Sequence, residues 1–202
     1  MYNFFLASDL PSSPSVLKSN TYQVLTSYGA LIKASDTYSY IRTDGLRTCV
    51  AFALINPHDS STLLVHFICL NQVKDVASLV KEFMENTTLS DKGLIMVIAG
   101  GREFFHESVD MCDFLVNYAK ELSKKILIKL RVMAPVVAEE NETLSVEINL
   151  NTGASTIAMT ASDVDTGDYP INPLPPVQFT NLIRAEIKED ECKQAVAMGV
   201  TM

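Results

Sequence analysis

Short apolar runs alternate with amphipathic segments along most of this 202-residue chain. Short apolar runs at 50–55 and 63–70 predict two neighbouring buried elements, because the residues between them are typical of a turn. The second run is predicted to be a strand. The first matches either a strand or a short buried helix, since an unbroken apolar run has no distinguishing period. The segment 22–32 has the composition of strand.

Two amphipathic helices are predicted, because apolar residues recur at helical spacing over residues 73–86 and again over 109–124. An apolar run at 93–101 lies between them and predicts a buried strand that ends in a pair of glycines. After the second helix, polar and apolar residues alternate over 126–134, which predicts a half-exposed strand.

The last ordered unit is predicted to be a β-hairpin, since Asn-Thr-Gly at 151–153 separates two short strand-like segments. Helices that alternate with strands, followed by a hairpin, predict the α/β class in a single domain over residues 22–160. Residues 1–21 are predicted to form an N-terminal extension. Residues 161–202 are predicted to form an acidic, proline-rich C-terminal extension with a short helix.

Composition narrows the class of protein. Apolar residues make up 48% of the chain, enough for a sizeable core, and the net charge of −8 argues against a nucleic-acid partner. The four cysteines stand singly, so a zinc site is not expected, and reduced thiols favour a cytoplasmic location. No apolar run is long enough to insert into a membrane, and the N-terminus lacks the basic region of a signal peptide. A translocated effector is left open.

Cys49 is the residue with the most chemical interest, because it follows a polar turn and opens an apolar run. A free cysteine is most often a small buried hydrophobe. A nucleophilic cysteine instead needs a base and a group that orients the base. His66 lies in the next apolar run, and Thr43 carries a hydroxyl that can orient its ring. These residues permit a catalytic triad, and they equally permit a core cysteine beside a core histidine.

The order of these residues is similar to the catalytic spacing of the bacterial chemoreceptor glutamine deamidases, the CheD family. Six positions separate Thr43 from Cys49, and 17 separate Cys49 from His66. Four segments resemble, in collinear order over 22–160, the family's cysteine segment, histidine strand, Ala-Gly-Gly strand end and closing hairpin. They are "GLRTCVAFALINP", "LLVHF", "IAGGREFF" and "SVEINLNTGASTIAM". The resemblance implies a layered α/β sandwich, a fold also seen in the cytotoxic necrotizing factor toxins.

The resemblance further implies cysteine-dependent deamidation of a protein glutamine, with Cys49 as nucleophile, His66 as base and Thr43 as orienting residue. Ammonia leaves from a thioester acyl-enzyme, and no metal or cofactor is required. The implied partners are a chemoreceptor or another protein that carries a reactive glutamine, and a phosphatase of the CheC type. Backbone amides of the turn 46–49 are the expected oxyanion donors. Because the chemistry needs a thiolate, we also expect a depressed pKa for Cys49.

The chain departs from the family at positions that bear on the substrate. Arg47 and Thr48 stand where the family usually has Gly-Ser, and these two residues, with Gly100 and Gly101, are predicted to line the substrate site. The segment 133–144 replaces a glycine- and arginine-bearing stretch, so the target surface is expected to differ. Three alternatives stay open: a non-catalytic interaction module of the same fold, a bacterial effector that deamidates or transamidates another protein, and a transglutaminase or thiol protease.

Overall fold

The computed structural model describes residues 5–6, 20–34, 37–89, 91–137 and 142–161. Within these residues the chain forms a five-stranded sheet, a four-stranded sheet, a two-stranded pair and three helices. The α/β class predicted from the sequence is therefore confirmed. Apart from Ala161, which is the last residue of a strand, the predicted C-terminal extension lies outside the described residues.

The five-stranded sheet is the centre of the fold. All neighbouring strands in it are antiparallel except the last two, which are parallel. In spatial order its strands are β3 (Gly29–Ile32), β6 (Thr62–Phe67), β5 (Val50–Ile55), β7 (Leu94–Gly100) and β8 (Ile128–Met133). The helices α1 (Leu70–Val73), α2 (Val76–Glu85) and α3 (His106–Ser123) contribute side chains to the apolar cluster on one face of this sheet.

The four-stranded sheet packs on the other face. Its order is β11 (Ser155–Ala161), β10 (Glu142–Asn149), β4 (Tyr40–Leu46) and β2 (Thr21–Gln23). The remaining strands, β1 (Phe5–Leu6) and β9 (Val136–Val137), pair with each other in parallel.

The two apolar cores lie on opposite faces of β5. Val50, Phe52 and Leu54 belong to the core shared with the helices, whereas Ala51, Ala53 and Ile55 belong to the core between the two sheets. Because both faces are covered, every residue of this strand is buried. This explains why the run is apolar without alternation, and it identifies the segment 50–55 as a strand rather than a helix.

Most predicted elements are present with shifted ends. The segment 22–32 is divided between β2 and β3, which belong to different sheets and are separated by a turn with Ser27 at φ 69°. The helix predicted over 73–86 corresponds to α2, which begins three residues later at Val76, and the helix predicted from 109 begins at His106. The hairpin at 151–153 is formed by β10 and β11, with Gly153 at φ 69°.

The strand β4 was not predicted, because its sequence is polar and contains glycine. Arg42 and Asp44 on this strand are both buried, and they pair through a hydrogen bond of 2.8 Å from Arg42 Nε to Asp44 Oδ1. Gly45 has φ 72°, close to an irregularity in the pairing with β10. The residues interpreted as a turn before Cys49 are thus largely strand, which fixes the direction of the Thr43 side chain.

In the part of the chain that the structure describes, no helix is both long and apolar enough to cross a membrane.

Candidate active site

A hydrogen bond between the two sheets links Thr43 to His66. Thr43 lies on β4 of the four-stranded sheet and His66 on β6 of the five-stranded sheet, and both side chains are buried. The Thr43 hydroxyl oxygen lies 2.8 Å from Nδ1 of the imidazole. The same hydroxyl donates to the carbonyl oxygen of Val24 at 2.9 Å. Nδ1 of the buried His66 therefore has a hydrogen-bond partner.

These contacts determine the tautomer of His66. A carbonyl oxygen only accepts hydrogen bonds, so the single proton of the Thr43 hydroxyl points to Val24. The hydroxyl must then accept a proton from His66, which places the ring proton on Nδ1. In the neutral imidazole, Nε2 consequently carries a free lone pair. That is the form in which a histidine can act as a general base.

Cys49 lies on the same face of the sheet as the imidazole. Its side chain is partly buried and packs against the core between the two sheets. Ala51, two residues later on that face, pairs directly with His66. Cys49 and His66 are thus diagonal neighbours, and residues in this relation are roughly 7–8 Å apart in a sheet. Nε2 of His66 makes no hydrogen bond to any described residue, so the structure shows no hydrogen bond between these two side chains.

Burial controls the charge of both groups. It raises the pKa of the Cys49 thiol to about 11; a hydrogen bond with the Thr48 side chain opposes this rise, and the nearby Cys69 thiol adds to it. Burial lowers the pKa of His66 to about 4. Both groups are uncharged at neutral pH, so no imidazolium stabilises a thiolate. The expectation of a depressed Cys49 pKa is wrong for this conformation, because desolvation outweighs the favourable hydrogen bond.

The main chain at Cys49 is held from two sides. Gly101 donates its N–H to the carbonyl oxygen of Cys49 at 2.8 Å, and Gly100 adopts φ 97° against the same carbonyl. On α3, the hydroxyl of Ser108 donates to the carbonyl oxygen of Thr48. The two glycines thus support the backbone of the cysteine. A contact between them and a substrate stays a prediction.

Arg47 and Thr48 form the bend between β4 and β5. Arg47 is exposed, and its backbone N–H donates to the carbonyl oxygen of Gly45 at 2.8 Å. Since that amide already has an acceptor, it is not free to stabilise an oxyanion. The other backbone amides of the turn 46–49 remain as the predicted oxyanion donors. Thr48 lies next to the thiol and contacts it through its hydroxyl.

Two supporting residues could not be found from the sequence pattern. The carbonyl of Val24 fixes the Thr43 hydroxyl, and a backbone group leaves no mark in a sequence. Ser108 lies in the first turn of α3, before the apolar periodicity that predicted a helix from position 109. The helix starts after Phe105, which offers no side-chain cap and hence no start signal.

Comparisons with known proteins do not add to this geometry. No protein-family model matches the sequence, and a search of curated proteins finds no significant match. Within the described residues, no group of three or more His, Cys, Asp or Glu side chains is arranged to hold a metal ion. The three cysteines in this part of the chain, Cys49, Cys69 and Cys112, are free thiols.

Proposed function

We propose that this protein is a cysteine-dependent protein-glutamine deamidase of the CheD type. The observation that carries the proposal is the hydrogen bond from His66 Nδ1 to Thr43, because it leaves Nε2 unprotonated on the face that carries Cys49. The Thr43 hydroxyl is itself fixed by the carbonyl oxygen of Val24, which holds the imidazole in this tautomer. A nucleophile, a base and an orienting group then occupy one interface.

The reaction follows from these roles. Nε2 of His66 removes the thiol proton of Cys49 as the sulfur attacks the carboxamide carbon of a glutamine side chain. Collapse of the oxyanion breaks the carbon–nitrogen bond, and the protonated His66 gives its proton to the departing ammonia. Water then adds to the thioester, with His66 accepting a proton. The products are a glutamate and the free thiol, and no metal or cofactor enters the reaction.

The pKa values favour proton transfer during the attack over a preformed ion pair. With the pKa of Cys49 near 11 and that of His66 near 4, the resting enzyme holds a neutral thiol and a neutral imidazole. The transfer to Nε2 becomes favourable when the oxyanion of the bound substrate is stabilised by backbone amides. Hydrogen bonds at catalytic sites commonly shorten when substrate binds.

The proposal extends to fold, compartment and target. A helical layer, a five-stranded sheet and a four-stranded sheet agree with the sandwich implied by the CheD family and the cytotoxic necrotizing factor toxins. Free thiols agree with a cytoplasmic protein. The proposed substrate is a glutamine on a bacterial chemoreceptor or on another protein, since Arg47 and the segment 133–144 depart from the sequence pattern of the CheD family.

Oxygen-18 labelling tests the proposal directly. The protein is incubated with chemoreceptor cytoplasmic fragments, and separately with a bacterial protein extract, in water enriched in oxygen-18. Hydrolysis of a thioester raises the mass of a converted glutamine by about 3 Da rather than the roughly 1 Da of deamidation in ordinary water. We expect conversion of specific glutamines by the wild type, and none by Cys49→Ala or His66→Ala.

A neighbouring cysteine provides the matched control. Cys69 is buried close to the thiol of Cys49. The variant Cys69→Ala therefore removes a neighbouring thiol and leaves the nucleophile in place. This variant should convert the same glutamines as the wild type. The deamidase proposal would be contradicted if Cys49→Ala still converted these glutamines. It would also be contradicted if the wild type converted no glutamine in either the chemoreceptor fragments or the extract.

The second candidate function is a protein-interaction module, and the side chain of Phe104 favours it. This phenylalanine is 87% exposed in the turn between Gly101, whose N–H binds the carbonyl oxygen of Cys49, and α3. Its exposed ring is available for contact with another protein. The interaction-module proposal would be preferred over the deamidase proposal if Phe104→Ala abolished capture of a partner while Cys49→Ala left both capture and biological activity intact.

A further inference from the structure

The main chain just before Cys49 is tied to helix α3 through Ser108. This serine lies in the first turn of α3 and is completely buried. Serine hydroxyls inside helices commonly donate to a carbonyl one turn earlier in the same helix. The hydroxyl of Ser108 instead donates to the carbonyl oxygen of Thr48. Its single proton is thus directed at the residue that precedes the proposed nucleophile.

This contact sets the orientation of the peptide group between Thr48 and Cys49. The bond is trans, so its C=O and its N–H point in opposite directions. Since the carbonyl of Thr48 points to α3, the N–H of Cys49 points away from that helix. Helix α3 packs on one face of the five-stranded sheet, whereas the thiol and His66 lie on the other. The N–H of Cys49 is therefore directed to the side on which the thiol lies.

No other acceptor competes for this N–H. It makes no hydrogen bond to a described residue, whereas the N–H of Arg47 donates to the carbonyl of Gly45. The carbonyl of Cys49 is held separately, by the N–H of Gly101 at 2.8 Å. The peptide groups on both sides of the nucleophile are thus fixed, and the donor between them is left for a ligand.

We propose that Ser108 is a positioning residue that directs the N–H of Cys49 towards the oxyanion of the reacting carbonyl group. The inference rests on the proposed function, because an oxyanion forms only if the sulfur of Cys49 attacks a carbonyl carbon. As the sulfur–carbon bond forms, the electron pair of the carbonyl π bond moves onto the oxygen. An N–H that already points to this oxygen stabilises it without reorganisation. Ser108 acts through the carbonyl of Thr48 and needs no contact with the substrate.

Loss of the Ser108 hydroxyl should release this peptide group without displacing the thiol. The carbonyl of Thr48 would lose its partner, so the N–H of Cys49 would no longer be held in one direction. The carbonyl of Cys49 would stay bound to Gly101, and the ring of His66 would keep its hydrogen bond to Thr43. Reactions of the thiol that form an oxyanion should therefore slow, and reactions that form none should not.

Two reagents that modify the same sulfur separate these effects. The ester p-nitrophenyl butyrate acylates a thiol through a tetrahedral oxyanion and releases p-nitrophenolate. Methyl methanethiosulfonate transfers its methylthio group to the sulfur and releases methanesulfinate, without attack on a carbonyl group. Mass spectrometry of the peptide that contains Cys49 measures both rates. In Ser108→Ala we expect acylation of Cys49 to slow roughly tenfold and methylthiolation to keep the wild-type rate.

The matched control is Ser123→Ala on the same helix. The hydroxyl of Ser123 is exposed and donates to the carbonyl oxygen of Lys120 at 2.7 Å. This variant therefore loses the same kind of hydrogen bond, but at a position without a contact to the residues around Cys49. Both reactions should proceed at the wild-type rate in Ser123→Ala. An unchanged rate of methylthiolation in Ser108→Ala also shows that the thiol is still held in its folded environment.

Two results would overturn the inference. The first is acylation of Cys49 at the wild-type rate in Ser108→Ala. The second is an equal slowing of both reactions, which would show that Ser108 supports the position of the thiol and not the oxyanion donor.

Oxygen-18 labelling keeps this inference distinguishable from the deamidase proposal. If Ser108→Ala converts glutamines at the wild-type rate, the positioning role is wrong and the deamidase proposal stands. If the wild type converts no glutamine but Ser108→Ala selectively loses acylation, the deamidase proposal is wrong. The N–H of Cys49 is then the oxyanion donor for acyl transfer from another kind of carbonyl substrate.

Discussion

The hydroxyl oxygen of Thr43 lies 2.8 Å from Nδ1 of His66, although the two residues belong to different sheets. The contact ties β4 of one sheet to β6 of the other and is completed by the carbonyl oxygen of Val24. The packing of the two sheets therefore decides which nitrogen of the imidazole carries a proton. A small relative movement of the sheets would change both the orientation and the basicity of His66.

Replacement of Thr43 by valine tests this arrangement, because valine keeps the shape and removes the hydroxyl. The carbonyl of Val24 and Nδ1 of His66 would both lose a buried partner, so the free energy of unfolding should fall by about 1–3 kcal/mol. The rate of ammonia release should fall at least roughly tenfold, with residual activity, since Thr43 only orients the base. Urea unfolding and an ammonia assay measure the two effects.

Thr43→Ser is the matched control for that variant. Serine restores the hydroxyl, so most of the stability and most of the activity lost in Thr43→Val should return. A valine variant with the wild-type rate of ammonia release would show that the hydroxyl does not position the base.

The reactivity of Cys49 should increase steeply at high pH. With a pKa of about 11, its thiolate fraction at pH 7 is roughly a hundredfold or more below that of an exposed cysteine. Alkylation by iodoacetamide, followed for each cysteine by mass spectrometry, should therefore be slow at pH 7 and still rising above pH 9. His66→Ala should show the same rise, because the neutral imidazole does not stabilise the thiolate in the resting state. A rate that levels off below pH 7 would instead indicate a thiolate–imidazolium pair.

Whether an element of this fold could be predicted from the sequence depends on which of its faces are buried by other elements. The strand β5 is buried on both faces, so its sequence is continuously apolar, and its burial was predicted while its type was not. Pairing with β6 and β7 decides the type, and such long-range pairing has no local signature. The strand β4 escaped prediction for the opposite reason, because Arg42 and Asp44 satisfy each other and make a buried strand resemble a turn.

The candidate site was predictable in its composition but not in its electrostatics. Thr43, Cys49 and His66 were grouped from their residue types and order, and the structure joins the first and third by a hydrogen bond. The pKa of Cys49 could not be read in the same way. It depends on how deeply the thiol is buried, which the packing of two sheets determines and the spacing of residues does not.

His66 should make the folded state less stable in mild acid. Its pKa is about 4 in the folded protein and about 6.5 when unfolded, so between these values the unfolded chain binds a proton that the folded chain does not. The free energy of unfolding should thus be unaffected by this group above pH 6.5 and should fall as the pH decreases towards 4, by about 3 kcal/mol in total. Urea unfolding at several pH values measures the slope.

The variant His66→Asn isolates that contribution, because asparagine keeps a donor near Thr43 and does not titrate. The carboxylates titrate alike in both proteins, so the difference between the two unfolding curves reports on His66. Parallel curves from pH 7 to pH 4 would mean that the imidazole accepts a proton in the folded protein without cost, against the burial observed here.

Gly100 should be irreplaceable for the site, and Gly153 provides the comparison. Both glycines have positive φ, 97° and 69°, so alanine at either position costs about 1–2 kcal/mol in backbone conformation. A Cβ at position 100 would lie 2.6 Å from the carbonyl oxygen of Cys49, whereas one at position 153 would lie 3.2 Å from a methyl group of Ile55. The backbone carbonyl of Cys49 cannot move aside as easily as the side chain of Ile55 can. Gly100→Ala should therefore lose about 2 kcal/mol or more beyond the loss in Gly153→Ala.

The functional consequence separates the two variants further. The carbonyl of Cys49 also accepts the N–H of Gly101, so a displaced carbonyl moves the nucleophile away from the face it shares with His66. Gly100→Ala should reduce ammonia release by at least roughly tenfold even under conditions in which it remains folded, because catalysis is sensitive to small displacements of the reacting group. Gly153→Ala, at the far hairpin, should retain the wild-type rate. Equal activity in the two variants would show that the Gly100–Cys49 contact supports the fold but not the position of the thiol.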